Sequence, residues 1–305
     1  MKISTSLVLN WHLSEACNYR CQYCYATWSK SGCRQDIIQT SERSLALLSE
    51  LYRFFNPLNS DNPLTKEMQW TSVRLNLAGG EPLLHATKLL TVVSQARTIG
   101  FDVSLISNGS YLDHDLVEEL APQLTLLGIS IDSLLPETNR AIGRIDRHER
   151  LLDLDYLAVI LAKARKSNPD LSLKLNTVVN RHNYNEDLAD VVRRFAPDKW
   201  KVLRMLPVVN DELAISDLQF AEFVSRHSPL SDILCTEDNQ DMRESYLMID
   251  PLGRFFQNSP QSIGAGYVYS QPILDVGADA AFAEMTFEPE RFRARYHWIT
   301  AGEEA

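Results

Sequence analysis

The chain has no run of apolar residues near the roughly 18 to 20 that a membrane-spanning helix requires. Its first residues, Met1-Lys-Ile-Ser-Thr-Ser, enter a strand pattern without the apolar middle of a secretory signal. A cytosolic protein is therefore expected. Positive charge is also in deficit: 30 Lys and Arg against 40 Asp and Glu leave a formal net charge of −10 and a pI near 5.2. A nucleic-acid polymer is not the expected partner, because backbone binding needs a broad basic surface. A small anion held by a few local lysines remains compatible. Cysteine is scarce, and five is an odd number in a chain without a secretion signal, which argues against a disulfide framework. No internal repeat or low-complexity segment interrupts the 305 residues, a length that buries a substantial core.

Three of the five cysteines stand together in Cys17-Asn-Tyr-Arg-Cys21-Gln-Tyr-Cys24, spaced C-x3-C-x2-C. Zinc sites use paired C-x2-C or Cys/His spacings, and the bacterial ferredoxin run needs a fourth Cys nearby. Neither pattern is met. Three thiolates suit three irons of a four-iron cluster and leave the fourth iron open to a ligand that is not protein. This spacing, with Tyr23 before the last Cys, resembles the signature of the radical S-adenosylmethionine (SAM) superfamily, in which SAM chelates the open iron. Cys33 and Cys235 read as ordinary thiols.

Leu7–Leu13 reads as a strand leading into the cysteine loop, so a cluster would sit at a strand's C-terminal end, where α/β barrels carry their chemistry. Ser41 is the expected N-cap of a helix with Leu45, Leu48, Leu51, Tyr52 and Phe55 at helical spacing. Ser72–Ala78 alternates as a strand and ends in Gly79-Gly80-Glu81-Pro82. Helices are expected over residues 84–99, 112–120, 151–166 and 186–195, alternating with strands over 101–106, 125–131, 171–179 and 200–206. Six such alternations predict a parallel sheet curled into a partial (β/α)6 barrel. After Val209 the pattern weakens to a helix over 218–226, a hairpin of 246–249 with 254–256, and a tail from Asn258 with a short helix at 280–285. Residues 1–210 are thus the expected core and 211–305 a C-terminal extension.

Polar residues fall on one parity of three strands: Arg74 with Asn76, Lys174 with Asn176, and Lys199 with Lys201. Surface lysines are the norm, so the pattern alone fits a solvated face as well as a pocket. On the inner face of a barrel the same residues would form an anion pocket with charge-assisted hydrogen bonds to phosphate. Taken singly, Gly79-Gly80-Glu81 and Ser107-Asn-Gly109 read as turns and Tyr246 as strand packing.

The motifs in sequence order narrow the choice. Besides the cysteine segment they are Asn76-Leu-Ala-Gly-Gly-Glu-Pro82, Ile106-Ser-Asn-Gly-Ser110, Ile142-Gly-Arg144, Asn176-Thr-Val-Val-Asn-Arg181, Trp200-Lys-Val202, Glu237-Asp-Asn-Gln-Asp-Met-Arg-Glu-Ser-Tyr-Leu247 and Pro272-Ile-Leu-Asp-Val-Gly277. Together they resemble the viperin family of radical SAM enzymes. The resemblance implies conversion of a ribonucleoside triphosphate (CTP, UTP or GTP, a pyrimidine favoured) to its 3′-deoxy-3′,4′-didehydro analogue, an antiviral terminator of RNA synthesis. It implies a [4Fe-4S] cluster on Cys17, Cys21 and Cys24, and SAM held near Tyr23, Gly79, Gly80, Glu81, Ser107, Asn108, Ser130 and Arg144. Asn10, Arg74, Asn76, Lys174, Asn176, Lys199, Lys201 and Tyr246 match positions around the nucleotide, Tyr246 with a catalytic role. An electron donor such as a flavodoxin or ferredoxin, a monomer, no membrane attachment, and an extension completing the nucleotide site are further expectations. Ala78, Arg74 and Lys199 depart from the Ser, Lys and Arg of animal members, which suggests a microbial one.

Two other classes stay open at this point. One is a radical SAM enzyme acting on a peptide or RNA; peptide-modifying members commonly carry extra cysteine-rich sites near the C-terminus, where Cys235 stands alone. The other is a scaffold holding structural zinc, which iron and sulfide in the purified protein would rule out.

Overall fold

The structure is a computed structural model that describes residues 3–26, 35–207, 210–258 and 267–296. Cys33, residues 259–266 of the expected tail and residues 297–305 lie outside the described residues. In chain order the elements are β1 (Ile3–His12), α1 (Ser41–Phe55), β2 (Gln69–Ala78), α2 (Ala86–Ile99), β3 (Asp102–Ser107), α3 (His114–Leu120), β4 (Leu126–Ser130), α4 (Pro136–Ile142) and α5 (Leu154–Ser167). They continue with β5 (Ser172–Val179), α6 (Ala189–Phe195), β6 (Lys199–Arg204), α7 (Asp217–Arg226), β7 (Leu234–Glu237), β8 (Leu247–Ile249), β9 (Arg254–Gln257), β10 (Val268–Pro272), α8 (Ile273–Val276), α9 (Ala278–Ala283) and α10 (Pro289–Tyr296).

Period-two alternation gives each strand one apolar and one polar face, and the apolar face decides how the sheet lies. Leu7, Leu9 and Trp11 of β1, Val73, Leu75 and Leu77 of β2, and Leu173, Leu175 and Val179 of β5 are buried, in a core shared with Leu47, Leu48, Leu51, Phe54 and Phe55 of α1. Each such side chain contributes about 1.5 to 3 kcal/mol on burial, so a register slip of one residue is strongly disfavoured. The intervening residues are thereby turned to the opposite, concave side. Ten strands join in the order β10-β9-β8-β1-β2-β3-β4-β5-β6-β7. Neighbours from β8 through β7 run parallel, while β9 and β10 are antiparallel additions. With β7 and β10 as separate edges the sheet is not closed, as a partial barrel requires.

Local expectations changed where tertiary contact outweighs pattern. Thr40, extended at φ −126°, is the N-cap of α1, and Ser41 is its first helical residue. Leu45 is 43 % exposed; the buried stripe runs instead through Leu47, Leu48, Leu51, Phe54 and Phe55. Pro82–His85 forms a 3₁₀ turn before α2, fitting a proline at the first helical position. The C-terminal stretch is more than a tail with one helix. β10 extends the sheet, and Phe282 of α9 packs at 5.7 Å between ring centroids against each of Phe54, Phe55 and Phe255. Among the described residues no helix is long and apolar enough to cross a membrane.

Candidate active site

The cysteine loop leaves β1 at His12 and is strapped to its neighbours through backbone. Leu13 N donates to Ala78 O at 2.8 Å, Glu81 N to Ala16 O at 2.8 Å, Arg20 N to Gly143 O at 3.0 Å and Gln22 N to Ile142 O at 2.9 Å. The close approach is possible because two glycines occupy the contact points. Gly80, at φ +52°, would put a Cβ 2.1 Å from Ala16 O, and Gly143, at φ +90°, would put one 2.2 Å from Arg20 O. Gly79 backs directly onto His12. Gly80→Ala is accordingly expected to push the cysteine loop out of place and to lose most of the iron bound after anaerobic reconstitution. Wild-type iron content would show that the turn tolerates the methyl group.

Glu81 is fully buried and ties two turns together. Its carboxylate accepts from Leu83 N at 3.0 Å, Ser107 Oγ at 2.8 Å and Asn108 N at 2.8 Å. Asn108 in turn donates to Asn18 Oδ1 at 2.9 Å and lies 3.9 Å from Cys17 Sγ. Below the loop, the buried Arg144 guanidinium pairs with Asp132 at 3.3 Å and donates to Tyr23 Oη at 3.2 Å and Ser130 O at 2.5 Å. Tyr23 donates to the same Asp132 carboxylate, whose other oxygen accepts from Val178 N at 2.9 Å.

Burial pushes the Cys17 thiol up to about 11 and Cys21 to about 12, and raises Cys24 as well, while the Arg144 charge opposes the shift at Cys21 and Cys24. Thiols in such a place ionise when a cation binds them. Among the described residues no three His, Cys, Asp or Glu side chains converge closely enough to hold one metal ion. A single zinc would draw its thiolates onto one centre at about 2.3 Å each. A four-iron cluster takes one thiolate per iron, so three cysteines on one loop fit the cluster better than zinc.

The concave face of the sheet encloses a cavity of about 760 Å³, within the range of small-molecule sites. All eight residues matched to a nucleotide line it: Asn10, Arg74, Asn76, Lys174, Asn176, Lys199, Lys201 and Tyr246. Sheet register sets them in rows. Asn10 stands opposite Asn76 and Asn76 opposite Ser104; Ser130, Asn176 and Lys201 form a second row, and Gly128, Lys174 and Lys199 a third. Asn76 Nδ2 donates to Asn10 Oδ1 at 2.9 Å and Ser104 Oγ to Asn76 Oδ1 at 2.8 Å. Burial, then the charges of Lys201 and Arg74, hold the Lys174 ammonium well below the usual lysine range, and burial also lowers Lys199. Lys201 is compensated by Glu237 at 2.5 Å.

Residues 11–195 match the Radical SAM superfamily. A protein of Pseudoalteromonas ulvae named S-adenosylmethionine-dependent nucleotide dehydratase is 39% identical over 295 residues, covering 96% of this chain and 94% of its own. A protein of the same name from Psychrobacter lutiphocae is 41% identical over 290 residues, covering 95% and 94%. The chain belongs to this family, the viperins. A Danio rerio relative, S-adenosylmethionine-dependent nucleotide dehydratase RSAD2, is 29% identical across 98% of this chain and 80% of that one. Among solved structures, anSMEcpe with bound AdoMet superposes with a TM-score of 0.65 at 13% identity, over 94% of this chain and 84% of that one. Streptococcus suis SuiB bound to precursor peptide SuiA gives 0.62 at 14% identity, over 98% and 69%. At such identity these two share the fold and nothing finer. Family membership makes the chain a radical SAM enzyme, with a [4Fe-4S] cluster and SAM as cofactors.

Seen as a viperin, the residues matched to SAM divide in two. Tyr23 and Ser130 line the cavity, whereas Gly79, Gly80, Glu81, Ser107, Asn108 and Arg144 are not part of its lining and make the contacts that hold the cysteine loop. Several cavity or loop residues were not foreseen. His12, two residues after Asn10 and so on the same face, meets Tyr25 at 5.7 Å and Phe256 at 5.3 Å between ring centroids, and burial drives its pKa down to about 3. Parity would have found His12. Asp132 and Glu237 carried no such signal.

Proposed function

We propose that the protein dehydrates a ribonucleoside triphosphate, a pyrimidine favoured, to its 3′-deoxy-3′,4′-didehydro analogue, an antiviral RNA chain terminator. The observation that carries this reading is the convergence of Arg74, Lys174, Lys199 and Lys201 in one cavity of a chain whose net charge is −10. Relatives named nucleotide dehydratases agree with it. Cys17, Cys21 and Cys24 would hold the cluster, which together with SAM would supply the radical chemistry needed to remove hydrogen from C4′ of the ribose. Tyr23 and Ser130 face the SAM side of the cavity, while Gly79, Gly80, Glu81, Ser107, Asn108 and Arg144 shape the loop above it. The four cations grip the phosphates and so fix the ribose, the main lever a protein has on such chemistry. Asn10, Asn76 and Asn176 orient the sugar, and His12 and Tyr25 help to wall off water. Tyr246, held by Glu237 and Lys201, orients the ribose or supplies a proton late in turnover; the 3′-oxygen departs as water, and an external flavodoxin or ferredoxin supplies electrons one at a time.

The same reading divides the chain into a core of residues 1–210 and an extension, 211–305, that completes the nucleotide site through Met242, Tyr246 and Met248. A cytosolic monomer is the proposed state. Anaerobic incubation of the reduced, cluster-loaded protein with SAM and each of the four ribonucleoside triphosphates tests the function by mass spectrometry. A product one water lighter than CTP or UTP is expected, and no such product from any of the four would overturn the reading.

A further inference from the structure

Glu237 ends β7 opposite Leu203 of β6 and is only 3 % exposed. One carboxylate oxygen lies 2.5 Å from Lys201 Nζ, and the other accepts the Tyr246 hydroxyl at 2.5 Å. Lys201 Nζ also donates to Tyr246 Oη at 3.0 Å, so the three groups close a triangle. In it the Tyr246 proton points at Glu237 and a Tyr246 lone pair at Lys201. Lys201 and Tyr246 both line the cavity.

A carboxylate beside a triphosphate site looks misplaced, because it repels the ligand that the surrounding cations attract. Its contacts give it another use. We propose that Glu237 is a positioning residue for the dehydration: a resident counter-ion that fixes Lys201 and aims the Tyr246 hydroxyl, at the cost of weaker ground-state binding. The proposal rests on the nucleotide reading above. Neutralising Glu237 then acts in opposite directions on two quantities. Triphosphate binds more tightly, since one repulsive charge is gone, and turnover falls, since Tyr246 loses its charged acceptor and its orientation. A residue that merely supported the fold would, when altered, weaken binding and turnover together.

The test measures CTP affinity by equilibrium titration of the full-length, cluster-loaded protein without reductant, and the rate of didehydro product formation separately. Glu237→Gln is expected to bind CTP about 10-fold more tightly and to turn over roughly 10- to 100-fold more slowly. Adding Tyr246→Phe to Glu237→Gln should cost little further rate, because the two substitutions break one unit. Should Glu237→Gln not fold, Glu237→Asp decides the matter: it keeps the charge but shortens the reach, so affinity stays near wild type while the rate drops. Weaker CTP binding by Glu237→Gln, or an unchanged rate in either variant, would overturn the role. Wild-type protein that fails to bind CTP would instead overturn the nucleotide reading itself.

Discussion

Cys21→Ala is expected to abolish SAM cleavage and to leave the protein short of iron after reconstitution. On the proposed assignment each of the three thiols serves a different iron, so losing one leaves an iron without a protein ligand. Among the described residues no alternative group of His, Cys, Asp and Glu gathers at the loop. Cys17→Ala and Cys24→Ala should behave alike, because backbone contacts at Ala16, Arg20 and Gln22 pin the loop and oppose sliding a new donor into place. Cys235→Ala is the informative control. It lies in β7, opposite Lys201 in register, and should keep its iron and its SAM cleavage. Cys33→Ala should do the same. Iron and sulfide analysis with chromatographic detection of 5′-deoxyadenosine under dithionite reads all five variants. Wild-type SAM cleavage by Cys21→Ala would sink the assignment of the loop.

That the polar residues of these strands share one cavity was legible in the sequence because a strand has a period of two. Once Leu173, Leu175 and Val179 are known to face the core, Lys174 and Asn176 have one place to go. Parallel pairing then aligns that face with Asn10 and Asn76 on one side and Lys199 and Lys201 on the other. No comparable rule covers the loops. Glu81, Ser107, Asn108 and Arg144 are motif residues, but their polar atoms bond to backbone and to other side chains of the chain, Asn18, Tyr23 and Asp132 among them, and spacing alone does not say whether a hydrogen bond goes to ligand or to chain.

Glu237 was hidden for a different reason. Its strand is four residues long, too short for periodicity to register, and it becomes a strand through pairing with β6. The C-terminal segment is similar. The short helix expected at 280–285 forms as Ala278–Ala283, but its place under α1 is set by the contact of Phe282 with Phe54 and Phe55, which no local pattern carries.

Lys174→Ala is expected to weaken triphosphate binding by roughly 10- to 100-fold, the loss of one charge-assisted contact. The unliganded protein should meanwhile become more heat-stable. Both effects come from one cause. Lys174 is half-buried beside Lys199, Lys201 and Arg74, with the Glu237 carboxylate acting the other way, and its ammonium form is disfavoured first by desolvation and then by those charges. A lysine whose pKa is lower folded than unfolded binds fewer protons in the native state across the interval between the two values. Stability conferred by losing that proton therefore rises with pH through the interval, and below it the charged lysine opposes folding. A polyanion reverses the sign. It favours the ammonium form, so binding draws in a proton once the pH exceeds the free-state value, and affinity falls as pH rises further. Thermal unfolding with the nucleoside and its mono-, di- and triphosphate, across a pH series, reads these terms together through the ligand-linked rise in Tm. The increment should grow with each phosphate, shrink toward high pH, and shrink again in Lys174→Ala. Equal increments from nucleoside and triphosphate would mean that the cations of this cavity do not serve phosphate, because charge is the property in which those two ligands most differ.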